Sequence, residues 1–217
     1  MASRFLFVAL FSLTVFHVSS VPSQLQDFCV ADLNSQVFVN GFVCKNPNAV
    51  TADDFFFSGL DKAANTSNHM GSNVTAVSVT NLPGLNTLGI SLTRQDFGSY
   101  GLVPPHIHPR ATEILVVVEG ALQAVFISST NYQMYDKVLN KGDVFVFPQG
   151  MIHFQYNRNS TSAVAFSALS SENPGLVYMA NSAFGSNPSI SDDVLAKTFQ
   201  LDKKTIDLLQ ARFSTAH

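Results

Sequence analysis

The sequence predicts an all-β domain, an antiparallel sandwich or small barrel, finished by two short C-terminal helices. Three observations carry that expectation. From about Val74 to Leu169 apolar residues recur mostly at period two, the spacing that puts side chains on one face of a strand. The runs are closely spaced and punctuated by Gly, Pro and Asn, as hairpin-connected strands are. Past residue 190 the spacing changes to three and four, which belongs to helices.

The chain opens on a segment that stands apart from the fold. Arg4 gives a positive start, Phe5 to Phe16 is almost entirely apolar, and Val18 and Ser20 take the −3 and −1 places of a cleavage site before Val21. Residues 1–20 therefore read as a secretory signal peptide. Their apolar run is well short of the roughly 20 residues of a spanning helix, and no other segment reads as a membrane span. What remains is about 200 residues, one large domain, expected to be secreted and to fold as one unit over 21–217. Within it, 21–72 is expected to form an N-terminal extension of irregular β segments, 73–180 the barrel core, and 181–217 a helical clasp.

The extension holds both cysteines of the chain, Cys29 and Cys44. In an oxidising compartment an even pair this close reads as a disulfide. No C-x-x-C redox motif is present, so the pair reads as structural. The core then supplies its strands in order. "TLGISLTRQDF" alternates Leu88, Ile90 and Leu92 with small or polar residues. "EILVVVEGALQAVFIS" is two strands joined at Glu119-Gly120, and "DVFVFPQGMIHFQYN" is strand, turn, strand around Pro148-Gln149-Gly150. "SAVAFSAL" follows a polar turn. At the end, Ser191-Asp192-Asp193 can cap a helix to about Phe199, and Asp202 can start another. In the second, Ile206, Leu209 and Phe213 make an apolar stripe. That stripe needs a cover, either its own barrel or a neighbouring subunit.

Composition narrows the function. The net charge of −3 argues against nucleic acid, which calls for a basic patch. Charged residues are 12% of the chain, about half the usual share, which favours burial in a homo-oligomer. N-glycans would also help solubility, and Asn65, Asn73 and Asn159 open N-x-S/T acceptor sequons. No G-x-S-x-G element points to a serine hydrolase. Lys141-Gly142-Asp143 resembles an adhesion tripeptide, but Gly-Asp there more simply makes a turn.

The chemistry gathers on histidines. Of six, His17 leaves with the signal peptide, His217 is terminal, and His69 sits in a polar loop. His106 and His108 are two apart and share a strand face, and His153 follows a tight turn in another strand. Glu113 lies an odd number of residues beyond His108, so a straight strand would aim it away. A bulge or bend at Pro109-Arg110-Ala111 is required to bring it back. Three imidazoles and a carboxylate form a mixed nitrogen and oxygen donor set that leaves open positions on an octahedral ion. Donor type alone leaves Mn, Fe, Zn and Cu open. A +2 ion with one carboxylate leaves the site near +1, which invites a small anion such as oxalate or superoxide.

"PPHIHPRATEI" and "GDVFVFPQGMIHFQYN" resemble the two cupin boxes of plant germins and germin-like proteins. "QDFCVADL", "DDFFFSGL", "GLNTLGIS" and "NPGLVYMANSAFGS" are similar to the rest of that family, so the likeness spans the mature chain. The resemblance implies a cupin jelly-roll β-barrel with Mn2+ held by His106, His108, Glu113 and His153. It also implies a Cys29–Cys44 disulfide, C-terminal helices that clasp neighbours, and a homohexamer built as a trimer of dimers in the apoplast. Germins proper are oxalate oxidases that hold substrate with two asparagines. Asn86 is similar to the first, and Thr93 stands at the second, where one hydroxyl replaces an amide. Germin-like proteins of this type are associated with Mn superoxide dismutase activity and plant defence. Three expectations follow: a superoxide-consuming enzyme, an oxalate oxidase that tolerates Thr93, or a non-enzymatic wall or receptor-like protein.

Overall fold

In a computed structural model that describes residues 26–214, the predicted strands assemble into two five-stranded antiparallel sheets packed face to face. The strands are β1 (Ser72–Val77), β2 (Ser91–Phe97), β3 (Leu102–Ile107), β4 (Glu113–Glu119) and β5 (Ala121–Ile127). They continue with β6 (Met134–Asn140), β7 (Val144–Phe147), β8 (Ile152–Tyr156), β9 (Ala163–Leu169) and β10 (Val177–Tyr178). One sheet runs β1-β2-β9-β4-β7 and the other β10-β3-β8-β5-β6. Chain neighbours often sit in opposite sheets, the jelly-roll arrangement, and the all-β expectation holds.

The turn at Gly120 shows how the chain makes such a crossing. It lies between β4 and β5, which belong to different sheets. Its φ is 71°, which favours glycine, and a Cβ there would meet the Ser162 carbonyl oxygen at 2.7 Å. The two strands predicted on either side of Glu119-Gly120 are thus a corner, not a hairpin. Between the sheets, Phe97, Leu115, Val117, Leu122, Ala124 and Phe147 form one buried apolar cluster. Each large side chain there contributes about 1.5–3 kcal/mol.

Three local expectations are revised. Leu88, Ile90 and Leu92 keep their alternation but face outward, at 37%, 55% and 37% exposure, and β2 begins only at Ser91. The inner face of β2 is Ser91, Thr93, Gln95 and Phe97, of which Thr93 and Gln95 line a cavity. Strand β6 was not anticipated; of its seven residues only Leu139 is buried, so no apolar alternation announces it. Helix α1 (Met179–Phe184) is also additional.

Helix α2 (Asp192–Phe199) follows Ser191 as its N-cap, and α3 (Lys203–Phe213) follows Asp202, whose Oδ1 accepts the Thr205 amide at 2.9 Å. Ile206 is fully buried against Phe184 and Leu195, with Leu209 and Phe213 packed beside them. The stripe is therefore covered largely by α1 and α2. The Lys141-Gly142-Asp143 element is a turn before β7, with Asp143 Oδ2 accepting the Asn140 amide. Among the described residues no helix is long and apolar enough to cross a membrane. Residues 1–20, with the signal peptide expectation and His17, and His217 lie outside the described residues.

In the extension, Cys29 and Cys44 form a disulfide. Cys29 is buried, and the bridge holds down a segment whose regular structure amounts to two short 3-10 turns and isolated bridges. Replacing both cysteines by serine should lower unfolding stability by about 3 kcal/mol, the chain-entropy value for a loop of this size. Chemical denaturation of the double variant beside the parent measures it, and no shift in midpoint would show the extension is secured by packing alone.

Candidate metal centre

His106 is the last residue but one of β3, His108 follows the strand, His153 lies in β8 and Glu113 opens β4. Strand β3 pairs with β8, placing His106 directly opposite His153. Glu113 comes from the other sheet. The parity problem is resolved by a bend rather than a bulge at Pro109-Arg110-Ala111, a turn at Pro109-Arg110. Residues 108–112 carry the chain across from one sheet to the other, and Glu113 faces the imidazoles across the barrel. The irregularity in register lies earlier, between Val103 and His106.

One potential ligand atom from each of the four residues lies within 4.8 Å of the others. Three of them, His106, Glu113 and His153, are buried to 3% exposure or less. Each imidazole has its Nδ1 against a backbone carbonyl: His106 to Pro104 at 2.8 Å, His108 to Gly175 at 2.6 Å, His153 to Met151 at 2.8 Å. A carbonyl only accepts, so Nδ1 carries the proton and each neutral ring turns an Nε2 lone pair inward. Yet the His108 and His153 Nε2 atoms lie 3.1 and 3.3 Å from Glu113 Oε2. Acceptor faces acceptor unless a proton or a cation sits between them. A convergent set of lone pairs, oriented by carbonyls behind the rings, is what a divalent ion requires. The residues fit a metal.

The electrostatics agree. Burial, then the neighbouring His153, pushes His106 down to about 3, so it stays neutral and able to coordinate in mild acid. Burial also lowers His108, but its contacts with Glu113 and the Gly175 carbonyl outweigh that and raise it. Burial would raise Glu113; the His108 and His153 rings instead hold it well below the usual carboxylate range.

The surroundings fix these side chains. Gln95 Nε2 donates to Glu113 Oε1 at 3.2 Å and to Ser167 Oγ at 2.9 Å. Phe147 stacks on His153 with ring centroids 4.6 Å apart. Arg110 grips the loop before β10, its Nε donating to the Asn173 carbonyl at 2.8 Å and its backbone amide to Pro174 at 3.1 Å. That loop presents the Gly175 carbonyl to His108. These supporting residues were not legible as such. Gln95 and Gly175 show only as one polar residue on an alternating strand and one glycine in a loop.

Beside the centre lies a cavity of about 290 Å³, bordered by His106, His108 and Glu113. Thr93 and Gln95 give it a polar wall, while Val74, Val103, Leu169 and Leu176 give it an apolar one. Thr93 Oγ1 and Gln95 Oε1 are buried without a protein partner, on residues that line the cavity. The expected companion, Asn86, is not brought here. It does not line this cavity; its Nδ2 donates to the Phe42 carbonyl at 2.9 Å and to Cys29 Sγ at 3.3 Å. Its amide nitrogen anchors the disulfide segment, away from the cavity where a substrate contact was expected. Of the sequons, Asn65 and Asn159 are exposed, whereas Asn73 is half-buried with its amide on the Asn65 carbonyl.

The cupin family pattern matches residues 58–207. The chain is 59% identical over 216 residues, 98% of its length and 100% of the relative's, to "Putative germin-like protein 2-1" of Oryza sativa subsp. japonica. It is 63% identical over 199 residues, 90% of each chain, to "Germin-like protein 8-2" of the same organism. A solved structure of recombinant oxalate oxidase in complex with glycolate aligns with TM-score 0.87 at 43% identity, covering 90% of this chain and 99% of that one.

Gly175→Ala should weaken metal retention about 10- to 100-fold, the usual effect of disturbing a ligand's supporting shell. Gly175 has a φ of 69°, and its new Cβ would lie 2.9 Å from Pro109 Cγ, displacing the carbonyl that orients His108. Competition with a chelator of known affinity reads the change; unchanged retention would remove Gly175 from the site's support. By contrast, Asn86→Ala should cost about 1–3 kcal/mol of stability through the stranded Phe42 acceptor and leave metal content intact. A loss of metal with unchanged melting would return Asn86 to the site.

Proposed function

This chain belongs to the cupin family and, within it, to the germin-like proteins, and from that premise we propose a secreted manganese protein of the plant cell wall that consumes superoxide. The observation that carries the reading is the convergence of three inward lone pairs and one carboxylate on the wall of a cavity. His106, His108, Glu113 and His153 would hold the ion. Bound there, Mn would supply a one-electron redox couple and open coordination positions for a small anion.

The chain's own residues do the rest. Gln95 holds the second oxygen of Glu113, so the carboxylate keeps one orientation. Thr93 Oγ1, without a protein partner, can donate to the far atom of a diatomic anion. Val103 and Leu169 keep that wall of the cavity dry. Dismutation needs no further nucleophile: one superoxide is oxidised to O2, a second is reduced to peroxide, and two protons from solvent complete H2O2. Release of H2O2 into the wall is the proposed link to defence.

Oxalate oxidation is the second reading, favoured by the 43% identity to the oxalate oxidase structure. Oxalate and O2 would give two CO2 and, with two protons, H2O2. Thr93 weakens it. At that position a dicarboxylate meets one hydroxyl where an amide would offer two N–H donors, and one missing donor costs about 1–3 kcal/mol.

The assembly proposed is a homohexamer, a trimer of dimers. Its support is an apolar outer surface: Leu92, Ile114, Val144 and Val146 on one sheet, with Phe56 and Ile90 exposed beside them. A surface of that kind calls for a partner. N-glycans at Asn65 and Asn159, and at Asn73, would shield what the assembly leaves open. The apoplast is the proposed location.

Metal analysis and electron spin resonance on protein from its native wall should find Mn. The Mn-loaded protein should consume superoxide and release little H2O2 from oxalate, with His106→Ala losing both metal and superoxide activity. Thr93→Asn should raise whatever oxalate turnover exists, by about 5- to 150-fold for one restored donor. Vigorous oxalate turnover by the parent, with no response to superoxide, would reverse the ranking of the two readings.

A further inference from the structure

A second cavity of about 490 Å³ shares Val74, Ala76, Val103, Leu176 and Tyr178 with the metal cavity, so the two lie side by side against a common wall. Its outer wall carries Arg212, from the last turn of α3, and His69, from the polar loop before β1. Among the described residues no carboxylate pairs with Arg212, and no hydrogen bond engages its guanidinium. Among the described residues the only acidic side chain bordering either cavity is Glu113, which is committed to the centre. The chain as a whole carries −3, so its mean field repels an approaching anion. A solitary guanidinium beside the mouth therefore decides the local sign of the potential.

We infer that Arg212, with His69, forms an anion port that collects small oxyanions and similar small anions and passes them along the shared apolar wall to the metal centre. The inference rests on the reading of an anion-accepting centre. Arg212 does no chemistry; it acts on arrival, raising the local anion concentration at the entrance, where low-dielectric walls concentrate the field. The shared wall of Val74, Val103 and Leu176 offers no competing polar site to hold an anion short of the centre.

The test uses full-length mature protein loaded with cobalt(II), whose visible spectrum reports an anion entering the coordination sphere, and azide as the probe in stopped flow. Wild type is compared with Arg212→Gln, Arg212→Glu and His69→Gln. At low ionic strength entry should slow by about threefold in Arg212→Gln and roughly tenfold in Arg212→Glu. The rates should converge near 1 M salt, where the Debye length falls to about 3 Å. Cobalt content and melting temperature should match wild type, since Arg212 is exposed. Equal rates and equal salt slopes in all four proteins overturn the port. So does a change of sedimentation in Arg212→Glu, which would make Arg212 a contact for a carboxylate of a second copy of this chain. If azide leaves even the wild-type spectrum unchanged, it is the anion-accepting centre that fails, and the port with it.

Discussion

Glu113 is a carboxylate buried to 2% exposure among imidazoles whose inward nitrogens, while the rings are neutral, have no proton to offer it. A buried charge without a partner is among the costliest arrangements a fold can hold. The rest of the structure is built around that constraint. Glu113 needs a positive partner at the point where the His106, His108 and His153 lone pairs meet, and a divalent cation meets all four demands together.

The supporting structure keeps the donors aimed at that point. Two of the three imidazoles are oriented by carbonyls two residues back in their own chain, Pro104 for His106 and Met151 for His153. This is a local device that needs little from the tertiary fold. His108 is different. Its carbonyl comes from Gly175, 67 residues on, and that loop is held by Arg110, two residues beyond His108. The clamp closes on itself: the residue that positions the loop is carried by the segment the loop positions. Gln95 performs the corresponding task for Glu113 from the neighbouring part of its own sheet.

The same requirement reverses part of the usual polarity of a barrel. The inner side of β2 offers Ser91, Thr93 and Gln95, while Leu92 and Ile90 face out. Thr93 and Gln95 put polar groups beside the cavity and the four-residue centre, and the apolar residues of the alternation lie on the surface. Ile114, Val144 and Val146 extend that surface on strands β4 and β7. A partly polar interior and an apolar exterior are thus two sides of one strand pattern.

What the sequence by itself determined was the chemical inventory and its periods. His106, His108, Glu113 and His153 were legible as one donor set, because residue type and two-residue spacing are local properties. The strands around Glu119-Gly120 and Pro148-Gly150, and the helix starts at Ser191 and Asp202, were legible for the same reason. Only the tertiary structure decided which face each strand buried, since alternation gives a period without a sign. It also decided that Glu113 joins the histidines from the opposite sheet, that Asn86 anchors the disulfide segment, and that Gly175 and Gln95 hold the donors in place. Those are contacts between residues far apart in the chain, and no local pattern encodes them.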